Sequence, residues 1–491
     1  MDPKSYNICF IKGLKTIYFW KSRVLTSVLA SVTFINMTEH LNINQGRAKK
    51  ERVMIGNFRK IIKNHVLCLL DGYDLTFEEI LERSLNCDPL LLSEVIDELC
   101  GSKLISTTNN QEAGLRYQLR HWKVDQDRNP SLFISKFSNV LDDTYIFKQA
   151  RNFKILLGSI LKGLPEPGPV YSQWWFSEPA YEKLTRLLSS LSKSHASIAF
   201  LGSPTLGSLF SHFSKNPTFI FDIDGVLLEN LKPHSSETTR LVCYDALKEP
   251  EKNWEGKFQL VYTDPPWSIS VLTAFLIRAT SFINKEGRIA ISFPQLLTRP
   301  SALSERKNLI TLTQKLGLTL EMVLPGFTEY AVPIFEYNAY RHCGIELRKP
   351  WRKGDLFILK RSGAGKEARL NLDKETSIWD QFQYGKARIF LKRDGCNEYG
   401  TPSIKPLVDL EDLIYKSTSS RSSSWKSASL VSTRNCIAHA YGRKELSLLL
   451  RDILSPSSRH YKGKQNPSLT TRSSIEKTVL SMLNTFNSGS Y

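Results

Sequence analysis

The sequence has 491 residues, a formal net charge of +18 and 41% hydrophobic residues. A chain of this length is expected to form two to four domains at ~100–200 residues each, and its apolar content excludes a protein that is disordered throughout. The 8 cysteines occur singly and without a C-x-x-C pair, which argues against both a zinc ribbon and a disulfide framework.

The positive charge is concentrated at the two ends of the chain. Residues 1–64 hold 12 basic and 3 acidic side chains, and residues 401–491 hold 13 basic and 6 acidic ones. The long middle part is therefore close to neutral. A strongly basic protein is a candidate for nucleic-acid binding, and here that interpretation applies directly to the ends, above all to the C-terminal region.

Residues 1–46 are interpreted as an N-terminal extension. Their apolar stretch, residues 24–37, is shorter than the ~20 residues that a membrane-spanning helix needs. We therefore predict no membrane span and a cytoplasmic protein, with a membrane anchor at this end as the alternative. Met37 opens a polar segment that has the character of an ordinary protein start, and residues 1–36 are therefore interpreted as an upstream extension or as the result of a mistaken start.

Residues 47–122 predict a winged-helix-like domain. Helical apolar spacing occurs at residues 58–70, 76–83 and 90–99, and a pair of strand-like segments follows. The usual role of this domain is DNA binding through a basic helix. Residues 65–100, however, hold 9 acidic side chains and 1 basic one, which phosphate would repel. We therefore expect this domain to serve packing or homodimer formation.

Residues 123–165 are interpreted as a connector, and residues 166–362 as an α/β domain. In the latter, short apolar runs suited to buried strands alternate with helical spacers. Such alternation predicts a doubly wound, mostly parallel sheet of the Rossmann type. The runs lie at residues 197–202, 218–224, 258–264 and 288–293, with further candidates at 318–324 and 355–360.

The C-terminal part is predicted as a linker and strand segment, residues 363–403, followed by a basic helical region, residues 404–491. Helical spacing is found at residues 407–415, 444–454 and 474–483. This region is the candidate contact for nucleic acid. Within it, Arg434 and His439 resemble the signature of HEPN-type helical ribonucleases; the alternative is an ordinary surface arginine and a half-buried histidine on a helix.

Acidic side chains follow three of the predicted strands. Asp222 and Asp224 end one strand, Asp245 follows another and Asp264 ends a third. Ligands of an open parallel sheet bind outside the carboxyl ends of its strands. A carboxylate at Asp222 or Asp224 can accept hydrogen bonds from both hydroxyls of a ribose. An acid at the position of Asp245 can accept a hydrogen bond from an adenine amino group. This layout is typical of transferases that use an adenosyl-sulfonium donor.

The segment Asp264-Pro265-Pro266-Trp267 is the most specific local signal. The two prolines fix the backbone, and the indole offers a stacking surface for a planar base or a cation. The Asp264 carboxylate can accept a hydrogen bond from an attacking amine and so direct its lone pair at the sulfonium carbon. The histidines form no cluster with metal-ligand spacing, and no metal is expected.

Over residues 50–362 the sequence resembles the bis(aminopropyl)spermidine synthases, which make branched-chain polyamines. Several short motifs match in the right order: Pro165-Glu166-Pro167, then Tyr171 and Gln173, Phe200-Leu201-Gly202, Asp222-Ile223-Asp224, Tyr244-Asp245, Asp264-Pro265-Pro266, and Phe327-Thr328-Glu329-Tyr330.

The resemblance implies a transferase of polyamine biosynthesis that moves an aminopropyl group from decarboxylated S-adenosylmethionine to an amine of a polyamine. Asp264 and Glu329, with Pro265, Pro266 and Trp267, are then the candidate catalytic residues, because the attacking amine must lose its proton. The candidate donor-binding residues are Tyr171, Gln173, Gly202, Asp222, Asp224 and Asp245.

Two departures from that family keep other functions open. Three consecutive acids follow the first-strand glycine in the family, where this chain has Ser203-Pro204-Thr205. The proline motif here ends in Trp267, which resembles amino-methyltransferases that act on adenine or protein amines and use intact S-adenosylmethionine. The cysteine-rich zinc element of the family is also missing. The alternatives are therefore such a methyltransferase, acting on nucleic acid or protein, and a catalytically decayed binding or regulatory protein.

Overall fold

The computed structural model describes residues 47–110, 114–119, 150–347, 349–363, 378–393, 400–407, 415, 417–418, 422–454 and 469–484. The predicted N-terminal extension and residues 123–149 of the connector lie outside the described residues. The chain divides into two compact units, Met1–Arg128 with Leu296–Leu303, and Asn129–Gln295 with Ser304–Tyr491. Among the helices of the described ranges, none is both long and apolar enough to cross a membrane.

The first unit contains the three helices and the hairpin that the sequence predicts. A two-residue strand joins the hairpin, and the sheet has the order β1-β3-β2 with antiparallel pairing. Whether this unit acts as a winged helix or in a homodimer stays a prediction. The elements in chain order are α1 Arg47–Leu69, β1 Leu75–Thr76, α2 Phe77–Arg83, α3 Pro89–Gly101, β2 Ile105–Asn110 and β3 Gly114–Leu119.

Local sequence explains where these short helices begin. Thr76 and Glu79 form a reciprocal capping box at the start of α2. The Asp88 carboxylate accepts hydrogen bonds from the first amides of α3, and Pro89 occupies the first turn. The acidic face of α3 is partly neutralised within the unit. Arg59 of α1 donates to the Glu94 carboxylate at a distance of 2.7 Å and also pairs with Glu98.

The second unit is built on a seven-stranded sheet with the order β6-β5-β4-β7-β8-β10-β9. Strands β4 to β8 pair in parallel, whereas β10 is antiparallel to both of its neighbours. The predicted α/β fold is therefore confirmed as a mixed, mostly parallel sheet. Its strands are β4 Ile198–Leu201, β5 Thr218–Asp222, β6 Thr239–Cys243, β7 Phe258–Thr263, β8 Ile283–Pro294, β9 Leu318–Glu329 and β10 Lys353–Arg361.

Both faces of this sheet are buried at the central strands β4 and β7, which explains the mostly apolar runs in the sequence. Along β4, Ile198 and Phe200 belong to one core cluster, and Ala199 and Leu201 to the cluster on the other face. Helices supply the remainder of both clusters. The helices of this part are α4 Ala150–Gly163, α5 Glu178–Leu191, α6 Pro204–Phe213, α7 Gly225–Leu231, α8 Ile269–Phe282, α9 Ala302–Lys315 and α10 Ile334–His342.

The prediction of a helical region at residues 404–491 is wrong in its first half. Two C-terminal helices are present close to the predicted places, but residues 379–441 supply an antiparallel five-stranded sheet of order β11-β12-β14-β15-β13. The elements are β11 Trp379–Tyr384, β12 Ala387–Lys392, β13 Ser403–Pro406, α11 Ser423–Ser427, β14 Leu430–Ser432, β15 Ile437–Tyr441, α12 Arg443–Leu454 and α13 Leu469–Asn484. The helix predicted at 407–415 lies mostly outside the described residues.

The ribonuclease-type pair is also not on a helix. His439 lies in β15, in register opposite Lys405 of β13. Arg434 precedes that strand and its guanidinium forms an ion pair with Glu166 at 2.8 Å. The two side chains therefore do not share a helix face, and Arg434 has a structural partner.

Candidate active site

The strand register brings three predicted positions into one row at the carboxyl edge of the sheet. Leu201 of β4 pairs with Phe221 of β5 on one side and with Thr263 of β7 on the other. The next residue of each strand is therefore Gly202, Asp222 or Asp264. This edge contains the switch point of the sheet, where the chain turns to opposite sides of β4, which is where open α/β sheets bind ligands.

Gly202 makes the turn between β4 and α6 with a φ of +71°, a conformation that side chains disfavour. Its amide donates to the carbonyl of Phe221 at 2.8 Å, and a Cβ at this position would lie 2.7 Å from the Phe275 ring. Ser203 follows at the start of α6; its side chain makes no capping hydrogen bond, and its buried hydroxyl has no partner in the described structure.

Asp222 lies at the end of β5 with only 8% of its surface exposed. Its Oδ1 accepts the backbone N–H of Asp224 at 2.9 Å. Burial raises the pKa of Asp222 to about 7, although that hydrogen bond acts in the opposite direction. The neighbouring Ile223 is an exposed apolar side chain, which provides a surface on which a purine ring can pack.

Asp224, which the sequence analysis paired with Asp222 as a nucleoside ligand, has a different environment. It is fully buried, and four hydrogen bonds occupy its carboxylate. Oδ1 accepts from Leu227 N at 3.1 Å and Gln381 Nε2 at 3.2 Å. Oδ2 accepts from Gln173 Nε2 at 2.8 Å and Arg388 at 2.6 Å. With these acceptor positions occupied, Asp224 has a structural role in this state.

Tyr171 and Gln173 belong to the same network. The Tyr171 hydroxyl accepts from Gln381 Nε2 at 2.9 Å, and Gln173 Oε1 accepts from the Gly168 amide at 2.7 Å and from Arg388 at 2.6 Å. Both residues thus contact the C-terminal sheet. Sequence reasoning missed Gln381 and Arg388, since they lie in a segment interpreted as a linker and no motif marks them.

Asp245 lies after β6 and is half-buried. Its Oδ1 accepts the Leu247 amide at 2.9 Å and so closes the turn that follows the strand. Close by in sequence, Glu249 accepts two hydrogen bonds from Arg278, at 2.6 and 2.8 Å. The position fits the predicted contact with a purine amino group, and that role stays a prediction.

Asp264 is held by a network of hydroxyls behind the sheet edge. The Tyr330 hydroxyl donates to Asp264 Oδ1 at 2.7 Å. Ser292 Oγ lies 2.9 Å from both Tyr330 Oη and Thr328 Oγ1. Burial raises the pKa of Asp264 to about 7, with the hydrogen bonds from Tyr330 and Ser292 acting against the rise. Tyr330 stands in a motif quoted above, but its bond to Asp264 was not foreseen.

The rest of the proline motif forms one wall of the site. The carbonyl of Pro266 accepts the Ser268 amide at 2.9 Å, so the motif is closed by its own backbone turn. The half-buried Trp267 ring stands edge-on to Tyr330 with a centroid distance of 5.6 Å. The Arg352 guanidinium lies 5.6 Å from the Trp267 centroid and 4.0 Å above the Trp174 ring.

Two further carboxylates, Glu329 and Glu336, each have a cation beside them. Glu329 Oε1 accepts from Ser177 Oγ at 2.7 Å, and its Oε2 lies 3.5 Å from the Lys353 ammonium. Glu336 pairs with Arg352 at 3.4 Å. In the described ranges there is no group of three or more His, Cys, Asp or Glu side chains placed to hold a metal ion.

Comparisons with known proteins agree with the fold. A family model described as a probable N6-adenine methyltransferase matches residues 170–331. The branched-chain polyamine synthase from Thermus thermophilus, in complex with N4-aminopropylspermidine and 5′-methylthioadenosine, is 14% identical with a TM-score of 0.49, covering 63% of this chain and 90% of that one. A putative RNA methyltransferase from Pyrococcus horikoshii is 16% identical with a TM-score of 0.31, covering 43% and 99%. No curated protein sequence matches.

The family match lies within the predicted α/β domain and includes Tyr171, Asp222, Asp264 and Glu329. The likeness to the polyamine synthase is a distant one. Together with the sheet order, the family match gives residues 170–331 the fold of S-adenosylmethionine-dependent methyltransferases, within a chain that distantly resembles the branched-chain polyamine synthases.

Proposed function

We propose that the protein transfers a methyl group from S-adenosylmethionine to the exocyclic amino group of a planar base, of the adenine type, in a nucleic acid. The observation that carries this proposal is the Asp264 carboxylate, which the Tyr330 hydroxyl holds at 2.7 Å at the carboxyl end of β7. The half-buried Trp267 ring of the same motif also contacts Tyr330, so Tyr330 links the acceptor oxygen and the aromatic ring at the ligand edge of the sheet.

The donor side supports an adenosyl-sulfonium compound. Asp222 offers a carboxylate to the ribose hydroxyls, and Ile223 offers an apolar face to the purine. The turn after β4 requires glycine at position 202, because the Phe275 ring fills the space that a side chain there would take. Asp245 remains the candidate partner of the adenine amino group.

The start of α6 favours the intact donor over the decarboxylated one. Free amides at a helix N-terminus attract anions, and the buried Ser203 hydroxyl is an unused donor at the same place. The related synthases carry three acids after their glycine, and such acids would repel a carboxylate. Ser203-Pro204-Thr205 carry no charge and accommodate the carboxylate of S-adenosylmethionine.

The reaction needs an oriented nitrogen lone pair. The Asp264 carboxylate accepts an N–H of the amino group and aims the lone pair at the methyl carbon. A bond then forms between this nitrogen and the methyl carbon while the sulfur–methyl bond breaks, and the sulfonium becomes a neutral thioether. Asp264 takes the proton that the nitrogen loses, a role suited to a carboxyl whose pKa lies near neutrality.

The charges around the acceptor wall favour a base over a polyamine. A polycation requires carboxylates without counter-charges, whereas Glu329 has Lys353 beside it and Glu336 has Arg352. Arg352 lies over the Trp174 ring and extends the aromatic wall with a second planar group, an arrangement suited to a planar base.

Aminopropyl transfer to a polyamine is the second candidate. The ordered motifs from Pro165 to Tyr330 favour it, and it uses the same Asp264 to deprotonate an amine. It requires decarboxylated S-adenosylmethionine and a pocket that tolerates a polycation. A binding protein without catalysis is the third reading and requires that neither donor is turned over.

Binding and transfer assays separate the three. Calorimetry with both donors is expected to show tighter binding of S-adenosylmethionine. Methyl-labelled S-adenosylmethionine is expected to label adenine-containing oligonucleotides and not spermidine, and the Asp264→Asn variant is expected to bind the donor without transferring the label. Tighter binding of the decarboxylated donor with spermidine turnover would replace this proposal by the second candidate. Binding of neither would leave the third.

A further inference from the structure

Arg388 is the bulkiest of the fully buried side chains in the described residues, with 0% of its surface exposed. It is the second residue of β12, directly before the apolar residues Ile389, Phe390 and Leu391, and belongs to the C-terminal sheet. Its guanidinium reaches across to the end of β5 in the first sheet of the same unit. An arginine placed this way needs partners for all of its donors.

Each nitrogen of the guanidinium has such a partner. Nη1 donates to Asp224 Oδ2 at 2.6 Å, and neither side chain of this ion pair is exposed. Nη2 donates to Gln173 Oε1 at 2.6 Å, and Nε donates to the Glu166 carbonyl at 2.9 Å. The planar guanidinium thus donates hydrogen bonds to three different groups at once, which a lysine ammonium cannot do with the same geometry.

The contact continues to the donor side through the turn after β5. Asp224 donates its backbone N–H to Asp222 Oδ1 at 2.9 Å, and its own Oδ1 caps α7 by accepting from Leu227 N. Fixing the Asp224 carboxylate therefore fixes the turn that carries Asp222. A buried ion pair adds little net stability compared with an apolar pair of similar volume. Its contribution here is to fix the position of the turn that carries Asp222.

We propose that Arg388 is a positioning residue for donor binding, so that the C-terminal sheet completes the donor site by holding the turn that presents Asp222 to the ribose. This inference rests on the donor site described under the proposed function. It makes the C-terminal sheet a part of that site, and it assigns the sheet's contribution to one side chain.

The charges around Asp222 give the inference a pH signature. Asp224 on α7 opposes ionisation of Asp222 and Arg388 on β12 favours it, while the Cys243 thiol and the Tyr171 hydroxyl face it from the end of β6 and from the segment before α5. Burial is the main cause of the raised pKa of Asp222, and without the Arg388 charge that opposes it this pKa rises further. Donor binding then requires a more alkaline solution.

The test is calorimetry of the full chain with S-adenosylmethionine from pH 6 to pH 9. Arg388→Gln is expected to weaken binding at least tenfold at neutral pH and to move the pH midpoint of binding upward. The double variant Asp224→Asn with Arg388→Gln removes the opposing charge and is expected to return the midpoint towards that of the wild type. Arg393→Gln is the matched control, since this arginine lies next to the same sheet but is 59% exposed. It is expected to change neither quantity.

Unchanged affinity and midpoint in a folded Arg388→Gln variant would overturn the inference. If that variant does not fold, the double variant decides. Weakened binding with a midpoint near that of the wild type supports the inference, whereas wild-type affinity in this variant, which lacks Arg388, overturns it. If the wild type itself does not bind S-adenosylmethionine, the proposed function fails, and amide hydrogen exchange of residues 222–228 decides the positioning role. Exchange must then be faster in Arg388→Gln than in Arg393→Gln, and equal rates would overturn it.

Discussion

Two carboxyl groups with raised pKa values face the ligand edge of the sheet. Burial raises the pKa of Asp222 and of Asp264 to about 7, and the proposed chemistry needs both of them ionised. We expect kcat/KM to fall steeply as the pH drops below about 7, with a limiting slope near two on a logarithmic plot. In a variant at Asp264 that keeps some activity, only the ionisation of Asp222 should remain in the pH profile, and the limiting slope should fall to near one. A profile that is flat from pH 5 to pH 8 would contradict both assignments.

The same shifts predict the sign of a stability effect. The folded protein holds these protons more tightly than the unfolded chain, in which an aspartate has a pKa of ~3.9. The stability they contribute is therefore fully present below pH ~4 and is lost as the pH rises through about 7. Urea unfolding at pH 5.5 and pH 8 checks this, and replacing both residues by Asn should flatten the difference.

The Tyr330 hydroxyl orients the acceptor oxygen of Asp264. Tyr330→Phe keeps the ring beside Trp267 and removes the hydroxyl, which bonds to Asp264 and also to Ser292. A hydrogen bond to a charged group is worth ~1.5–3 kcal/mol, so kcat should fall by roughly 10- to 100-fold, with the KM for S-adenosylmethionine unchanged. Tyr384→Phe is the control, because that ring is exposed on β11. Equal kcat values in the two variants would remove Tyr330 from the site.

At the scale of elements, β10 supports the site through a glycine. Gly354 lies opposite Thr328 in the antiparallel ladder. A Cβ there would lie 2.5 Å from Thr328 Oγ1 and 2.6 Å from Ser292 Oγ, the two hydroxyls that brace Tyr330. The strand thus leaves the space in which this hydroxyl network forms.

Gly354→Ala should therefore reduce both stability and catalysis. Overpacking costs ~1–3 kcal/mol, and displaced hydroxyls should lower kcat in the same direction as Tyr330→Phe. Gly363→Ala is the matched control, because nothing lies within 4 Å of its Cβ position. Thermal unfolding and steady-state kinetics on both variants measure the two effects. A Gly354→Ala protein with wild-type kcat would separate the hydroxyl network from catalysis.

The elements that sequence predicts best are those buried on both faces. Runs such as Ile198–Leu201 and Phe258–Thr263 are buried throughout and mostly apolar, and their carboxyl ends could be placed in one row. The C-terminal strands could not be recognised in this way. β14 has 3 residues, and β12 is interrupted by Arg388, whose partner is far away in the sequence.

The site residues likewise fall into those that the sequence predicts and those that it does not. Asp222 and Asp264 follow from strand ends alone, because parallel strands share an edge. The engagement of Asp224 and the anchoring by Tyr330 depend on β12 and on the end of β9, and no local pattern reports such distant partners. The Arg434 and His439 interpretation failed for a related reason, since five residues of spacing fit a strand and its preceding turn as well as a helix.

At the scale of the whole molecule, the ion pair between Asp224 and Arg388 joins the two sheets of the second unit. Replacing either residue alone by Leu leaves the other charge buried and should cost ~3–5 kcal/mol in the free energy of unfolding. The double replacement should cost less than either single one, because it leaves no charge behind. Urea unfolding followed by tryptophan fluorescence measures all three.

The exposed pair of Arg393 and Asp380 provides the reference cycle, expected to be worth less than ~1 kcal/mol. Additive costs for the Asp224 and Arg388 replacements would show that the two side chains do not act as a unit. Strong non-additivity would show that the two buried side chains act as a unit across the two sheets.

The position of Arg388 along the chain also has a consequence for protein synthesis. Arg388 follows Asp224 by 164 residues, and a ribosome working at ~5–20 residues per second needs roughly 8 to 33 seconds to make that stretch. During this interval the nascent seven-stranded sheet contains the Asp224 carboxylate, while Arg388, which pairs with it, has not yet been translated. A product that stops short of residue 388 keeps every motif from Gly202 to Tyr330 and still lacks the cation that its fold requires.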